Sequence, residues 1–540
     1  MKLSSSLCFC ALAGLVAVQG APAGPRVKTV NGVVEGITAK SGVRMFRAVP
    51  FATPPVGELR WKAPQPPKNW QGVRPAVEFA ASCMQRPIFG DMEFRGKGTS
   101  EDCLYLNVWT PARTAAEKLP VLVYFFGGGL MAGDGSEYRY DGESMATKGI
   151  VSVTINYRLS VFGFLAHPEL TAEAAYHSSG NYGFLDQNAA LQWVQANIAA
   201  FGGDPKRVTI AGQSAGSRSV SVQLLSPLSK GLFAGAILES GSMVSGTKPL
   251  SLADAEKRGM EFMAAAGAQS LKDLRAIPGE KVLAMTAQPA WTRFEAIADG
   301  YQVAAKDLIE CADKGELSRV PLLLGWVTED RNAQSLLGEN PATPEGYTAA
   351  VRKLFGADAD RVLALYPAGQ TADQVLDAAQ TLATDRGMGY NMWRLAEGHR
   401  QSSGQPVFRF LYGRPRPKFL GRADQLPGTA GGIITNAAAA SSVPKWRGAV
   451  HSAEIEYALG NLATNKHYAW ELADYKLSEV MEGYFANFIK TGDPNGAGLP
   501  KWPAYAPGSG FQIMSLNAES GAVPEARQRY QLLDAILHAK

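Results

Sequence analysis

Val208-Thr-Ile-Ala-Gly-Gln-Ser-Ala-Gly-Ser-Arg-Ser-Val220 sets a short apolar and β-branched run directly before a serine held between two glycines. The run has the composition of a buried strand. Gly212-Gln213-Ser214-Ala215-Gly216 then fits G-x-S-x-G, a sharp strand-to-helix turn that lifts a serine hydroxyl above the edge of a sheet. Its glycines let the strand and the following helix pass close together. The plainer reading is an ordinary turn with Ser214 as a helix N-cap. The two readings part on whether the rest of the chain supplies an oxyanion-binding loop, an acid and a base in the order this turn requires.

It does. Val121-Leu-Val-Tyr-Phe-Phe126 runs straight into Gly127-Gly128-Gly129. Backbone N–H groups must converge on a developing oxyanion, and glycine permits the approach. Gly128, Gly129 and Ala215 are the candidate donors; three glycines directly after a buried strand argue against a merely flexible loop. Val320-Pro-Leu-Leu-Leu-Gly325 is a strand pattern followed by Trp-Val-Thr-Glu329-Asp330. Either carboxylate could hold an imidazole in the correct tautomer and stabilise its imidazolium form. Of the six histidines, His167 and His177 precede Ser214. The order serine, acid, histidine leaves His399, His451, His467 and His538. His451, in Gly448-Ala-Val-His-Ser-Ala-Glu454 just before a helical pattern, is the candidate base.

The surrounding chain reads as α/β. Apolar β-branched runs at 104–109, 121–126, 150–157, 208–211, 235–238, 321–325 and 407–412 alternate with helical patterns such as 187–200 and 477–490. That alternation implies a mainly parallel sheet flanked by helices, with sites at the C-terminal strand ends. Residues 413–448 break the rhythm: Ala, Gly, Pro and Ser dominate, and Arg414, Arg416, Lys418 and Arg422 cluster near the start. A net charge of +4 over 540 residues gives no argument for nucleic acid. No internal segment is apolar enough to span a bilayer, and no Cys/His spacing resembles a zinc site, so neither metal nor cofactor is expected.

Lys2, the uncharged stretch 3–18 and the small residues of Gln19-Gly-Ala-Pro-Ala-Gly24 form a secretory signal pattern, which implies a secreted or periplasmic protein. Cys8 and Cys10 lie in the part removed. Cys83, Cys103 and Cys311 remain, enough for one disulfide and one thiol; of three pairings, Cys83–Cys103 is the most local.

Together these residues resemble the type-B carboxylesterase family of α/β-hydrolases. The resemblance extends through Phe51-Ala-Thr-Pro-Pro-Val-Gly-Glu-Leu-Arg-Trp61, Ser100-Glu-Asp-Cys-Leu-Tyr-Leu-Asn-Val108, Gly180-Asn-Tyr-Gly-Phe-Leu-Asp-Gln187, Phe201-Gly-Gly-Asp-Pro205 and Thr491-Gly-Asp-Pro-Asn495. With the signal peptide over 1–20, it implies one α/β-hydrolase domain over 21–540. It also implies Ser214 as nucleophile, His451 as base and an acid five residues past Gly325, which is Asp330, where most members carry glutamate. Glu454 matches a carboxylate near the family's histidine, Arg60 and Glu101 match an ion pair, and Cys83–Cys103 matches the first disulfide. Only 19 residues (84–102) lie inside that loop, a short lid that argues against the alternative of a lipase acting on longer-chain acylglycerols. A non-catalytic binding module, the other class in this family, typically lacks the serine or the histidine, and both are present.

The resemblance implies a serine esterase working through an acyl-enzyme on small-molecule esters. Arg218 departs from the pattern, because relatives usually carry a small or apolar residue there. A buried arginine needs a partner. Either it pairs with a carboxylate of a neighbouring element, or Arg218, with Arg331 or the Arg414–Arg422 segment, binds a substrate that carries carboxylates. The second reading favours esters of di- or tricarboxylic acids, such as the tricarballylate esters of fumonisin-type toxins. Oligomeric state is not legible.

Overall fold

A computed structural model describes residues 24–245, 248–303, 307–435 and 446–538. The expected signal segment lies outside the described residues, as do 436–445 of the long Ala/Gly-rich segment.

One large sheet organises the chain. Its strands are β1 (Ile37–Thr38), β2 (Arg44–Pro50), β3 (Tyr105–Thr110), β4 (Leu119–Phe125), β5 (Val151–Ile155), β6 (Gly203–Gln213), β7 (Gly235–Glu239), β8 (Leu322–Val327), β9 (Val407–Tyr412), β10 (Gln512–Leu516) and β11 (Gly521–Pro524). They lie in the order β11-β10-β9-β8-β7-β6-β4-β5-β3-β2-β1. From β5 through β10 neighbours run parallel. The pairs at the two edges are antiparallel.

The parallel centre is covered on both faces, so its strands are continuous apolar runs rather than alternating ones. Leu322, Leu323 and Leu324 are all buried, as are Val121, Val123 and Phe125. Helix α1 (Tyr182–Asn197) and helix α2 (Ala215–Leu225) pack side by side, tied by the Gln187 amide donating to Ser219 Oγ at 2.9 Å. Helix α3 (Leu472–Thr491) lies against β4 and β6. Strand β8 runs two residues past Gly325, which pairs with Glu239 on one side and Phe410 on the other. Gly325 therefore sits inside the strand. A Cβ there would stand 2.3 Å from the Phe410 carbonyl oxygen, which accounts for the glycine.

Cys83 and Cys103 form the disulfide, while Cys311 is a buried free thiol whose burial pushes its pKa up to about 12. By loop-closure entropy, a bridge between residues 20 apart in sequence contributes about 3 kcal/mol. A Cys83→Ser/Cys103→Ser variant is expected to lose about that much unfolding free energy in urea titrations; a change below about 1 kcal/mol would show that the loop is held by packing instead. Arg60 and Glu101 form a two-pronged ion pair at 2.6 and 2.5 Å.

The basic segment is not a free cationic surface. Arg414 pairs with Asp474, Arg416 with Glu456 at 3.1 Å and Arg422 with Asp424 at 3.1 Å. Arg414 and Arg416 pin the start of the segment to the fold, whereas Arg422 pairs within the segment and stays exposed.

Candidate active site

The C-terminal ends of β4, β6, β7 and β8 form one rim, and the sequence-derived candidates converge on it. Strand β6 stops at Gln213 and α2 starts at Ala215; Ser214 between them has φ 57° and ψ −120°. A non-glycine residue there costs on the order of 1–3 kcal/mol and persists only where its surroundings enforce it. Here the Ser214 N–H donates to the Glu239 carbonyl at 2.8 Å, and the Ser214 carbonyl accepts from Arg218 N–H at 2.9 Å. The glycines have a steric reason. A Cβ on Gly216 would lie 2.0 Å from the Phe125 carbonyl oxygen, and one on Gly212 would lie 2.5 Å from Gly216 C. Gly241, which the sequence reading passed over, is constrained in the same way: a Cβ would meet the Ser214 carbonyl at 2.2 Å.

The 127–129 loop leaves the end of β4 alongside this elbow, because Phe125 pairs with Gly212 across the sheet. The Gly128 carbonyl accepts from the N–H groups of Met131 and Ala132 at 3.1 and 3.0 Å, closing a tight turn. Among the described residues, the N–H groups of Gly128 and Gly129 make no hydrogen bond within the protein. Ala215, as the first residue of α2, also lacks an intrahelical acceptor. Three N–H groups on the two segments that meet at the elbow are thus left without a protein acceptor.

The structure separates the two candidate acids. Glu329 pairs through its backbone with Val450, and its carboxylate accepts the N–H groups of Arg447 and Gly448 at 2.5 and 2.6 Å. Asp330, the next residue, points the other way. Its Oδ1 meets His451 Nδ1, and its Oδ2 accepts from Ser240 Oγ at 3.0 Å and from Val327 N–H at 3.2 Å. Ser240 and Val327 were not foreseen; Ser240 follows β7 directly, and a hydroxyl on the same strand-end rim was the available signal.

The far nitrogen of His451, Nε2, stands 3.4 Å from the Gln213 side-chain amide, at the elbow. The contact that His451 Nε2 makes is the one to the Gln213 amide, and no hydrogen bond joins Ser214 to His451 among the described residues. Such contacts commonly close only when substrate is bound. The His451 side chain remains 29% exposed, enough to be reached from outside. Burial pulls its pKa down, but the hydrogen bond and charge of Asp330, with the charge of Glu454, outweigh that and raise it. Glu454 is fully buried within reach of the His451 charge, and burial with the Asp330 charge lifts its carboxyl to about 7.

Arg218 has no carboxylate partner. Its Nε lies 3.3 Å from the Met243 sulfur, which is its hydrogen-bond contact beyond the helix backbone. The residues outside the described ranges contain neither Asp nor Glu, so no undescribed side-chain carboxylate serves it. Burial lowers its pKa, outweighing the charge of Glu295, which raises it; Arg293 lowers it further. Arg331 follows the acid, has an exposed side chain, and its charge acts on His451. Among the described residues no group of His, Cys, Asp and Glu side chains is arranged to hold a metal ion, and no helix is long and apolar enough to cross a membrane.

Comparison with known proteins gives this arrangement its context. The sequence pattern of the carboxylesterase family matches residues 23–532. The chain belongs to that family. It is a carboxylesterase, a serine carboxylic-ester hydrolase on the α/β-hydrolase fold. A fumonisin B1 esterase of Sphingopyxis macrogoltabida is 34% identical over 511 residues, covering 92% of this chain and 86% of that one. A para-nitrobenzyl esterase of Bacillus subtilis is 34% identical over 496 residues, covering 89% and 92%. Among solved structures, a carboxylesterase of Geobacillus stearothermophilus superposes with a TM-score of 0.77 at 30% identity, covering 94% of this carboxylesterase and 99% of its own chain.

Proposed function

We propose that this carboxylesterase is exported, works through an acyl-enzyme on Ser214, and prefers esters whose acyl part carries a carboxylate. His451 Nε2 takes the Ser214 proton as the hydroxyl attacks the ester carbonyl. The Asp330 carboxylate holds the Nδ1 proton and stabilises the imidazolium. The N–H groups of Gly128, Gly129 and Ala215 receive the oxyanion. Imidazolium His451 then protonates the departing alcohol. Water, deprotonated by His451, attacks the acyl-enzyme, and the acid product leaves. The Cys83–Cys103 bridge supports an oxidising compartment.

The substrate preference rests on Arg218. A half-buried guanidinium one turn past the nucleophile, with a thioether for company, gains most from a ligand carboxylate. Arg331, just past β8, adds positive charge that reaches His451. The similarity to a protein named as a fumonisin B1 esterase points the same way, toward tricarballylate-type esters.

Arg218→Met tests this reading. A charge-assisted pair contributes about 1.5–3 kcal/mol, so kcat/KM on a tricarballylate monoester is expected to fall roughly 10- to 100-fold. On neutral p-nitrophenyl butyrate the change should stay within about threefold, since no charge is being recognised. Equal losses on both esters would reject the anionic preference and leave the hydrolase reading standing. Failure of a fluorophosphonate to label Ser214 in the unaltered protein would reject the acyl-enzyme itself.

A further inference from the structure

Behind the His451 ring lies a group of buried acids that the reaction as described does not use. Glu239 ends β7, and Glu454 follows His451 by three residues; both are fully buried. None of their four carboxylate oxygens has a hydrogen-bond partner. The Tyr124 hydroxyl of β4 is likewise buried and unpartnered. Tyr124 feels the charge of both glutamates, Tyr412 that of Glu454, and Glu239 that of Glu454.

The nearby cations are committed elsewhere. Arg139 donates to Glu137, Ser452 Oγ and the Tyr140 hydroxyl. Arg416 donates to Glu456 and to the Thr429 and Ser452 carbonyls. The remaining charges facing Glu454 are Asp330 and His451 themselves. Two fully buried carboxylates without donors, each within reach of the other's charge, would be costly enough that at least one must keep its proton.

We propose that Glu239 is a positioning residue that keeps its proton and donates it to the Glu454 carboxylate, so that the pair carries a single negative charge behind His451. That charge is a second counter-ion, with Asp330, for the imidazolium formed when Ser214 attacks. The O–H bond stays on Glu239 and no proton leaves the pair during turnover. Burial favours this order: it raises Glu239 well above the usual carboxyl range, while Glu454, closer to the imidazole, titrates near neutrality. The inference rests on the reading of Ser214, His451 and Asp330 as the reacting set.

The sign of the test follows from the charge. A carboxylate beside the imidazolium raises the His451 pKa, and activity needs neutral His451. Removing the charge therefore moves the acid limb of the kcat/KM profile to lower pH. Glu454→Gln is expected to shift that limb down by about one unit and to lower kcat about tenfold. Glu239→Leu removes the donor, leaves Glu454 protonated at pH 7, and is expected to reproduce both changes, with kcat recovering above pH 8 as Glu454 ionises.

Glu239→Gln keeps an N–H donor in place and should restore the limb and most of the rate. A merely structural role would lower the melting temperature of Glu239→Leu and leave its pH profile where it was. That outcome, or a Glu239→Gln profile matching Glu239→Leu, overturns the proposal. If the leucine variant does not fold, the glutamine variant read by infrared difference spectroscopy decides: loss of a protonated-carboxyl C=O band supports the proposal, and an unchanged band refutes it. Fluorophosphonate labelling of Ser214 in the unaltered protein separates failure of this inference from failure of the triad reading.

Discussion

Asp330→Asn is expected to lower kcat on p-nitrophenyl butyrate about 10⁴-fold with little change in KM, whereas Glu329→Gln should stay within about threefold. The reason is the donor pattern around each carboxylate. Asp330 Oδ2 accepts two donors, the Ser240 hydroxyl and the Val327 N–H. An asparagine would give its carbonyl oxygen to those donors and turn its NH₂ toward His451 Nδ1. That nitrogen must then accept, so the ring proton moves to Nε2, the atom that has to receive the Ser214 proton. The substitution preserves shape and installs the wrong tautomer. Glu329 accepts the N–H groups of Arg447 and Gly448 through one oxygen, which a glutamine oxygen can also do. Steady-state rates with melting temperature as a folding control decide the matter. Comparable losses in both variants would take the acid's role away from Asp330.

Why the residue pattern alone left both neighbours open, with only the family resemblance favouring Asp330, is a matter of register. In an extended segment successive side chains point to opposite sides, so one of Glu329 and Asp330 faces the histidine and the other faces away. The choice is made by Glu329 pairing with Val450, a contact between residues far apart in the chain. The elbow was legible because its constraint is local: an apolar run, then a serine between glycines, carries its own turn chemistry. The buried centre of the sheet was legible for a similar reason, since strands covered on both faces are uninterrupted Val, Ile and Leu. The outer strands escaped notice because they are two to seven residues long and carry residues such as Arg44, Arg47 and Pro524. Strand β6 begins at Gly203 rather than at Val208, past an irregularity in its pairing that the polar stretch 204–207 conceals. Arg218 stood out as a local oddity, yet its want of a carboxylate is a property of everything folded around it. The 414–422 arginines show the converse, because a basic cluster in sequence becomes a set of satisfied ion pairs in space.

The second large effect concerns the amides. Gly128→Ala is expected to lower kcat about 10²–10³-fold, with KM for a neutral ester nearly unchanged. Gly128 has φ +112°, and an added Cβ would stand 1.9 Å from the Ala132 carbonyl oxygen and 2.7 Å from its carbon. Both atoms are backbone, so no side-chain rotation relieves the clash. Relief requires the 128–132 turn to open, and that turn is closed by Met131 and Ala132 N–H groups donating to the Gly128 carbonyl. Opening it swings the Gly128 and Gly129 N–H groups away from Ser214. Each such donor contributes about 3 kcal/mol to the tetrahedral oxyanion and far less to the ground-state carbonyl, which is why the loss belongs to kcat. A trifluoromethyl ketone, which forms a tetrahedral adduct with the serine, should lose affinity in parallel. Gly129→Ala is the internal comparison. Its Cβ would meet the Met131 side-chain methyl at 3.1 Å, a flexible end that can move, although φ +68° still strains an alanine. Its loss should be the smaller of the two. A folded Gly128→Ala protein with unaltered kcat would mean that the oxyanion is received elsewhere, and the geometry around Ser214 would then need a different set of donors.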